Sequence, residues 1–225
     1  MGIDTMLELD ESVEFADNPE PRCPCILLVD TSGSMSGAPI AALNEGLVAF
    51  KNNLMSDSLA ARRVEIAVIS FDSTVETVCD FCTTDDFSPP TLSTQGVTCM
   101  ASGILQALDL VDSRKKAYRA NGIAYYRPWI FMITDGGPTE SDEIVRRATE
   151  RIKTEEDAKR VAFFAVGVEG ADMTKLGEIS VRKPVKLNGL DFREMFLWLS
   201  ASMQRVSQSK VDEQVSLPPA GWGKI

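Results

Sequence analysis

The sequence predicts an α/β domain: a doubly wound, mostly parallel central sheet of about six strands, with one antiparallel edge strand and helices on both faces. Two observations predict it. Short apolar runs that stop at polar turns alternate with longer segments whose apolar residues recur every three or four positions, and strands alternating with helices require parallel pairing under a cover on both faces. One pair of strands is joined by only three residues, Asp72-Ser73-Thr74. That link is too short for a crossover, so the pair is a hairpin and supplies the antiparallel edge.

Residues 1–21 are acidic and close on Asn18-Pro19-Glu20-Pro21, which resists both helix and central strand; they are expected to form an arm. Residues 25–29, Cys-Ile-Leu-Leu-Val, are too few for a helix and read as a buried strand stopping at Asp30. After the polar turn 31–37, Pro39 suits a helix start, and Ile40, Leu43, Leu47, Phe50 and Leu54 line one helix face. Alternation over 64–71 marks the second strand, and 75–79 the third. The long polar stretch 80–97 follows from the hairpin, because a chain left at the far edge has to travel back across the sheet. Ile104, Leu108 and Val111 mark the next helix, and 129–133 a buried strand that stops at Thr134-Asp135. A charged helix over 141–159, a strand over 161–168, a short helix over 173–179 and a small strand over 185–187 come next. Phe192, Phe196, Leu199, Met203 and Val206 line the last helix. From Ser209 the pattern fades, so the domain is expected over 22–208 with a tail over 209–225.

Composition narrows the function classes. With 33 acidic and 23 basic residues the net charge is −10, which argues against nucleic acid as partner, since phosphate contacts need clustered Lys and Arg. The runs Arg114-Lys115-Lys116 and Arg146-Arg147 fall on expected helices among acids and read as solvated helix faces. No stretch approaches the roughly 18 apolar residues of a membrane span. Residues 1–10 lack the basic start and apolar run of a signal peptide, and the chain has no Asn-x-Ser/Thr. A cytoplasmic location without membrane contact is the expectation. The five cysteines are an odd number, expected as free thiols in a reducing compartment. Cys23 and Cys25 with Cys79 and Cys82 offer the four thiolates of a zinc shell, but Cys25 opens an apolar strand, which favours core thiols.

In open α/β sheets the functional crevice lies beyond the carboxyl ends of the strands. Two buried strands end there in a carboxylate, Asp30 and Asp135. Asp30 is expected at an exposed strand end with charge to balance. Asp30-x-Ser32-x-Ser34 puts one carboxylate and two hydroxyls on a tight loop that Gly33 lets curl, and Thr98 adds a hydroxyl from a second loop. Hard oxygen donors of this kind suit Mg2+ or Mn2+ and not a soft metal. Taken singly, Ser32, Ser34 and Thr98 could each be a helix cap.

Asp30-Thr31-Ser32-Gly33-Ser34, Thr98 and Thr134-Asp135-Gly136 together resemble the metal-ion-dependent adhesion site of von Willebrand factor A domains, with every expected position filled. The resemblance covers about 22–208 and extends to the TerY-like, tellurium-resistance-associated bacterial type through Asn18-Pro19-Glu20-Pro21-Arg22-Cys23-Pro24 and Asp135-Gly136-Gly137-Pro138-Thr139. It implies a Rossmann-like fold and a metal bound directly by Ser32 and Ser34. Thr98 would bind it directly or through water, and Asp30 and Asp135 mostly through water. It further implies a protein partner whose Asp or Glu carboxylate completes the shell, movement of the last helix on ligation, and a stress-response setting. Two site acids only cancel the charge of the ion, so an incoming carboxylate is attracted locally and repelled at range by a −10 protein.

Two enzyme readings stand beside the binding one. Gly33-Ser34-Met35-Ser36-Gly37 has the glycine spacing of the Gly-x-Ser-x-Gly nucleophile elbow, but Met35 stands at its serine position, and that mechanism needs a histidine base where the chain contains none. A Mg2+-dependent phosphate-ester hydrolase with a strand-end aspartate needs a second aspartate two residues on, where Ser32 stands. The sequence therefore predicts a binding module and not an enzyme.

Overall fold

A computed structural model of the chain describes residues 14–224. Its strands are β1 (Cys23–Asp30), β2 (Val64–Phe71), β3 (Val75–Thr83), β4 (Trp129–Thr134), β5 (Ala162–Gly167), β6 (Val185–Leu187) and β7 (Gly223–Lys224). Helices α1 (Ala38–Met55), α2 (Ser58–Arg63), α3 (Met100–Ala120), α4 (Asp142–Asp157), α5 (Met173–Ile179) and α6 (Phe192–Gln208) connect them. The strands form one sheet in the order β3-β2-β1-β4-β5-β6-β7. Neighbours from β2 to β6 run parallel, and β3 and β7 are antiparallel at opposite edges.

The central strands read correctly because both of their faces are buried. In β1, Cys23, Cys25, Leu27 and Val29 join a core layer with α1 and α6, while Ile26 and Leu28 join a second layer with α3, α4 and α5. Each Leu or Ile so buried contributes about 1.5–3 kcal/mol. Where α1 crosses α6 the backbones come close: a Cβ on Gly46 would lie 2.5 Å from Phe196 Cδ2.

The sheet has seven strands with two antiparallel edges, where the sequence predicts about six with one. The extra strand comes from the expected tail and is two residues long, so it has no alternation to read. Its neighbour Trp222 is the anchor. The indole is buried and packs edge-on against Trp198 and Phe131, with ring centroids 5.6 and 6.4 Å away. β3 also runs on to Thr83 through an irregular register with β2. The segment 84–99 then returns past α1, where Asn44 bonds both ways to the backbone of Leu92.

At the end of the sheet where β1 and β2 begin, the reading of Arg114-Lys115-Lys116 as a solvated face is corrected: Arg114 and Lys115 are buried, and only Lys116 faces outward. Arg114 pairs with Glu65, which is fully buried with Arg22 and Tyr118 around it. These partners lie far off in sequence, so a local charge count could not show them. Of the expected arm, residues 1–13 lie outside the described residues. The remainder is tied down, with Phe15 buried against Tyr118 and Arg22 holding the carbonyls of Asn18 and Glu20. Among the described residues no helix is long and apolar enough to cross a membrane.

Candidate metal centre

β1, β2 and β4 are parallel neighbours, so Asp30, Phe71 and Thr134 reach the same end of the sheet. The chain leaves β1 for β2 on one side and, after β3, returns to place β4 on the other, and a crevice opens at β1 where the strand order reverses.

Asp30 organises the first loop. Its Oδ1 accepts the Ser32 backbone N–H at 2.8 Å and its Oδ2 accepts the Thr134 hydroxyl at 2.5 Å. Ser32 Oγ lies 3.0 Å from Ser34 Oγ, and Ser34 Oγ donates to Asp135 Oδ1 at 2.8 Å. Three of the five sequence-predicted side chains are thereby linked directly, and Asp30 joins them through the Ser32 backbone N–H. Ser32 makes no side-chain cap, and the residue that precedes α1 is Gly37. Gly33 does not supply the curl. The left-handed residues nearby are Gly37 (φ 80°) and Gly96 (φ 64°), and Gly33 instead brings its N–H within 3.1 Å of the Gly96 carbonyl.

Thr98 arrives on the second loop. Gln95 N donates to Thr31 O at 2.8 Å, Cys99 N to Asp72 O at 2.8 Å, and Val97 N to Ser73 Oγ at 3.1 Å. Gly96 permits this crossing, since a Cβ there would fall 2.0 Å from Ser73 Oγ. The Thr98 hydroxyl faces the Asp135-Gly136 turn: a Cβ added to Gly136 would lie 3.8 Å from Thr98 Oγ1. Thr98 is not the cap of α3. That place is taken by Cys99 without a side-chain bond, and the capping group comes from the third loop.

Glu140 is that group, and sequence reasoning missed it. Its carboxylate accepts the backbone N–H of Ala101 at 2.6 Å, and from Ser102 both the N–H at 2.8 Å and the hydroxyl at 2.6 Å. Thr139 donates N–H and hydroxyl to the Thr98 carbonyl at 3.1 and 3.0 Å. A negative charge at a helix start, taking orphan N–H groups, is doubly favourable. Glu140→Ala is expected to lower stability by about 1–2 kcal/mol in urea unfolding, and Glu140→Gln by less.

Two further residues support the site. Thr134 had a signal, because it ends a buried strand directly before Asp135. Asp72 serves the hairpin turn by accepting from Thr74 N at 2.9 Å, and it also accepts the Thr31 hydroxyl at 3.3 Å.

The electrostatics are one-sided. Asp30 is fully buried and not exposed, because its own loop folds over it. Burial pushes its carboxyl upward, the Ser32 and Thr134 hydrogen bonds pull it back, and the charge of Asp135 raises it again. Among the described residues no ion pair involves Asp30, Asp72 or Asp135. Convergent hydroxyls and carboxylates without a basic counter-ion form an oxygen donor set that fits a hard cation.

Comparison with known proteins places the fold. A von Willebrand factor type A protein from Catenulispora acidiphila superposes with a TM-score of 0.65 at 17% identity, covering 82% of this chain and 43% of that one. The open conformation of the pilus adhesin SpaC from Lactobacillus rhamnosus GG gives 0.66 at 16%, covering 82% and 30%. Proximal thread matrix protein 1 of the mussel byssus, with a zinc-occupied MIDAS motif, gives 0.57 at 18%, covering 82% and 48%. The chain thus spans under half the length of each of these structures, and at such identities the likeness is one of fold. No curated protein matches it in sequence. The model of the von Willebrand factor type A domain matches residues 25–189, and the chain belongs to that family.

Proposed function

We propose that this chain is a protein–protein interaction module that works through one divalent cation, Mg2+ or Mn2+, held at Asp30, Ser32, Ser34, Thr98 and Asp135. An Asp or Glu side chain of a partner protein completes the site. One observation carries the reading: Ser32 Oγ and Ser34 Oγ stand 3.0 Å apart, with Asp135 Oδ1 2.8 Å from the second of them. Neighbouring ligands of an octahedral ion with bonds of about 2.1 Å lie about 3 Å apart, so these oxygens already sit at the spacing of a shared cation. The zinc-occupied motif of the mussel protein supports a divalent ion in a domain of this fold.

When bound, the ion supplies a coordination position that a carboxylate can take. The rest is done by the chain. Ser32 and Ser34 present neutral hydroxyls, which leave the cation electron-poor. Asp30, whose two oxygens are engaged with Ser32 and Thr134, fixes the loop and contributes charge without occupying the open side. The same engagement weighs against a phosphoryl-enzyme mechanism, because a buried, doubly bonded carboxylate is a poor nucleophile and Ser32 is no general acid. We place the module in a bacterial cytoplasm, in a TerY-like stress-response setting, on the resemblance of residues 18–24 and 135–139.

Titration calorimetry with Mg2+ and with Mn2+ tests the site. Ser34→Ala is expected to weaken binding about 10–100-fold, and equal affinity in variant and wild type would end the proposal. Capture of a partner in Mg2+ buffer is expected to fail in chelator and to return when Mg2+ is restored. With p-nitrophenyl phosphate and Mg2+ no turnover above background is expected.

A further inference from the structure

Cys79 and Cys82 stand three positions apart on β3. In a regular strand such residues point to opposite faces. Here the register slips: Cys79 opposes Val68 and Cys82 opposes Ile66, so three steps on β3 match two on β2. This bulge turns both cysteines toward the layer that holds Ile66 and Val68, and sends Phe81 to the other layer. The result is a thiol pair with Sγ atoms 3.8 Å apart, half-buried on an edge strand. Two rises of β2 set a Cα separation of about 6.6 Å, within the roughly 4.4–6.8 Å that disulfides span. Among the described residues no group of three or more His, Cys, Asp or Glu is placed to hold a metal, so the pair is not part of a zinc shell. Cys23 and Cys25, which completed the zinc reading of the sequence, are fully buried.

We propose that Cys79 and Cys82 form a redox-reactive dithiol, a site of reversible disulfide formation by exchange with small-molecule disulfides. The Cys79 thiolate attacks one sulfur of the disulfide RSSR, forming a mixed disulfide and expelling RS−. The Cys82 thiolate then attacks Cys79 Sγ, closing the internal bond and expelling the second RS−. Two electrons pass from the cysteine pair to RSSR, and the two thiol protons finish on two RSH. Either sulfur can donate to the other across 3.8 Å, so the same two steps run equally with Cys82 attacking first and Cys79 closing the bond.

The test uses the full chain equilibrated in buffers of graded glutathione disulfide to glutathione, quenched with N-ethylmaleimide and digested with trypsin. Residues 64–114 form one tryptic peptide carrying Cys79, Cys82 and Cys99, and fragmentation assigns each label. The expected result is reversible loss of two hydrogens confined to Cys79 and Cys82. In Cys82→Ser, which has no partner thiol to close the internal bond, glutathione should remain on Cys79 as a mixed disulfide. The proposal is overturned if both thiols stay fully alkylated at the highest glutathione disulfide. It is equally overturned if Cys99 enters the disulfide, or if Cys82→Ser carries no mixed disulfide on Cys79.

Discussion

Asp30→Ala is expected to remove the heat of Mg2+ or Mn2+ binding in titration calorimetry while leaving a single cooperative unfolding transition. The carboxylate holds the Ser32 N–H with one oxygen and the Thr134 hydroxyl with the other. Its loss therefore frees the loop that sets the spacing of Ser32 and Ser34 and removes half of the site's negative charge. A fall in affinity of about a hundredfold or more corresponds to roughly 2.7 kcal/mol. Stability should move less. Two donors are left without an acceptor, at about 1–3 kcal/mol, but a buried charge beside Asp135 disappears with them and offsets part of that loss. Asp30→Asn separates charge from geometry, since its amide oxygen still accepts from Ser32. Metal binding of wild-type strength in Asp30→Ala would sink the assignment of the site.

Much of this architecture is legible in the sequence for one physical reason. A strand buried on both faces, such as Cys-Ile-Leu-Leu-Val before Asp30, carries its burial in its composition, and its end is marked by the first charge. The same mark located Asp30, Ser32, Ser34 and Asp135, because crevice residues follow directly on such strands. What depends on distant partners was not legible. Glu140 lies in a polar turn and shows no local sign that it will cap a helix that begins at Met100. β7 has no alternation, and only the burial of Trp222 draws it to the sheet edge. The thiol pair needed the bulge, since at regular strand spacing Cys79 and Cys82 read as facing apart. Arg114 reads as a surface residue until Glu65 is seen on the strand beneath its helix.

Glu65→Ala is expected to produce the largest loss of stability of any single change considered, about 3–5 kcal/mol by urea unfolding. Glu65 Oε1 accepts from Arg22 Nε at 2.7 Å and Arg114 Nη2 at 2.9 Å, and Oε2 accepts from Arg114 Nε at 2.9 Å and from the Tyr118 hydroxyl. Arg22 is fully buried and Arg114 nearly so, so removing the shared carboxylate leaves the Arg22 guanidinium buried with backbone carbonyls alone, while Arg114 keeps its pair with the partly exposed Glu14 at 2.8 Å. Against a total stability of about 5–15 kcal/mol for a domain of ordinary size, that is a large share. The described part of the arm should loosen with it, because Arg22 also holds Asn18 O and Glu20 O at 2.7 and 2.6 Å. Metal affinity is the discriminating readout. Glu65 pairs near the start of β2, and the site lies at the strand ends beyond Phe71, so folded Glu65→Ala should bind Mg2+ as the wild type does. Asp30→Ala should show the reverse pattern, with affinity lost and stability largely kept. If Glu65→Ala unfolded within about 1 kcal/mol of wild type, the buried network would hold less than its geometry implies.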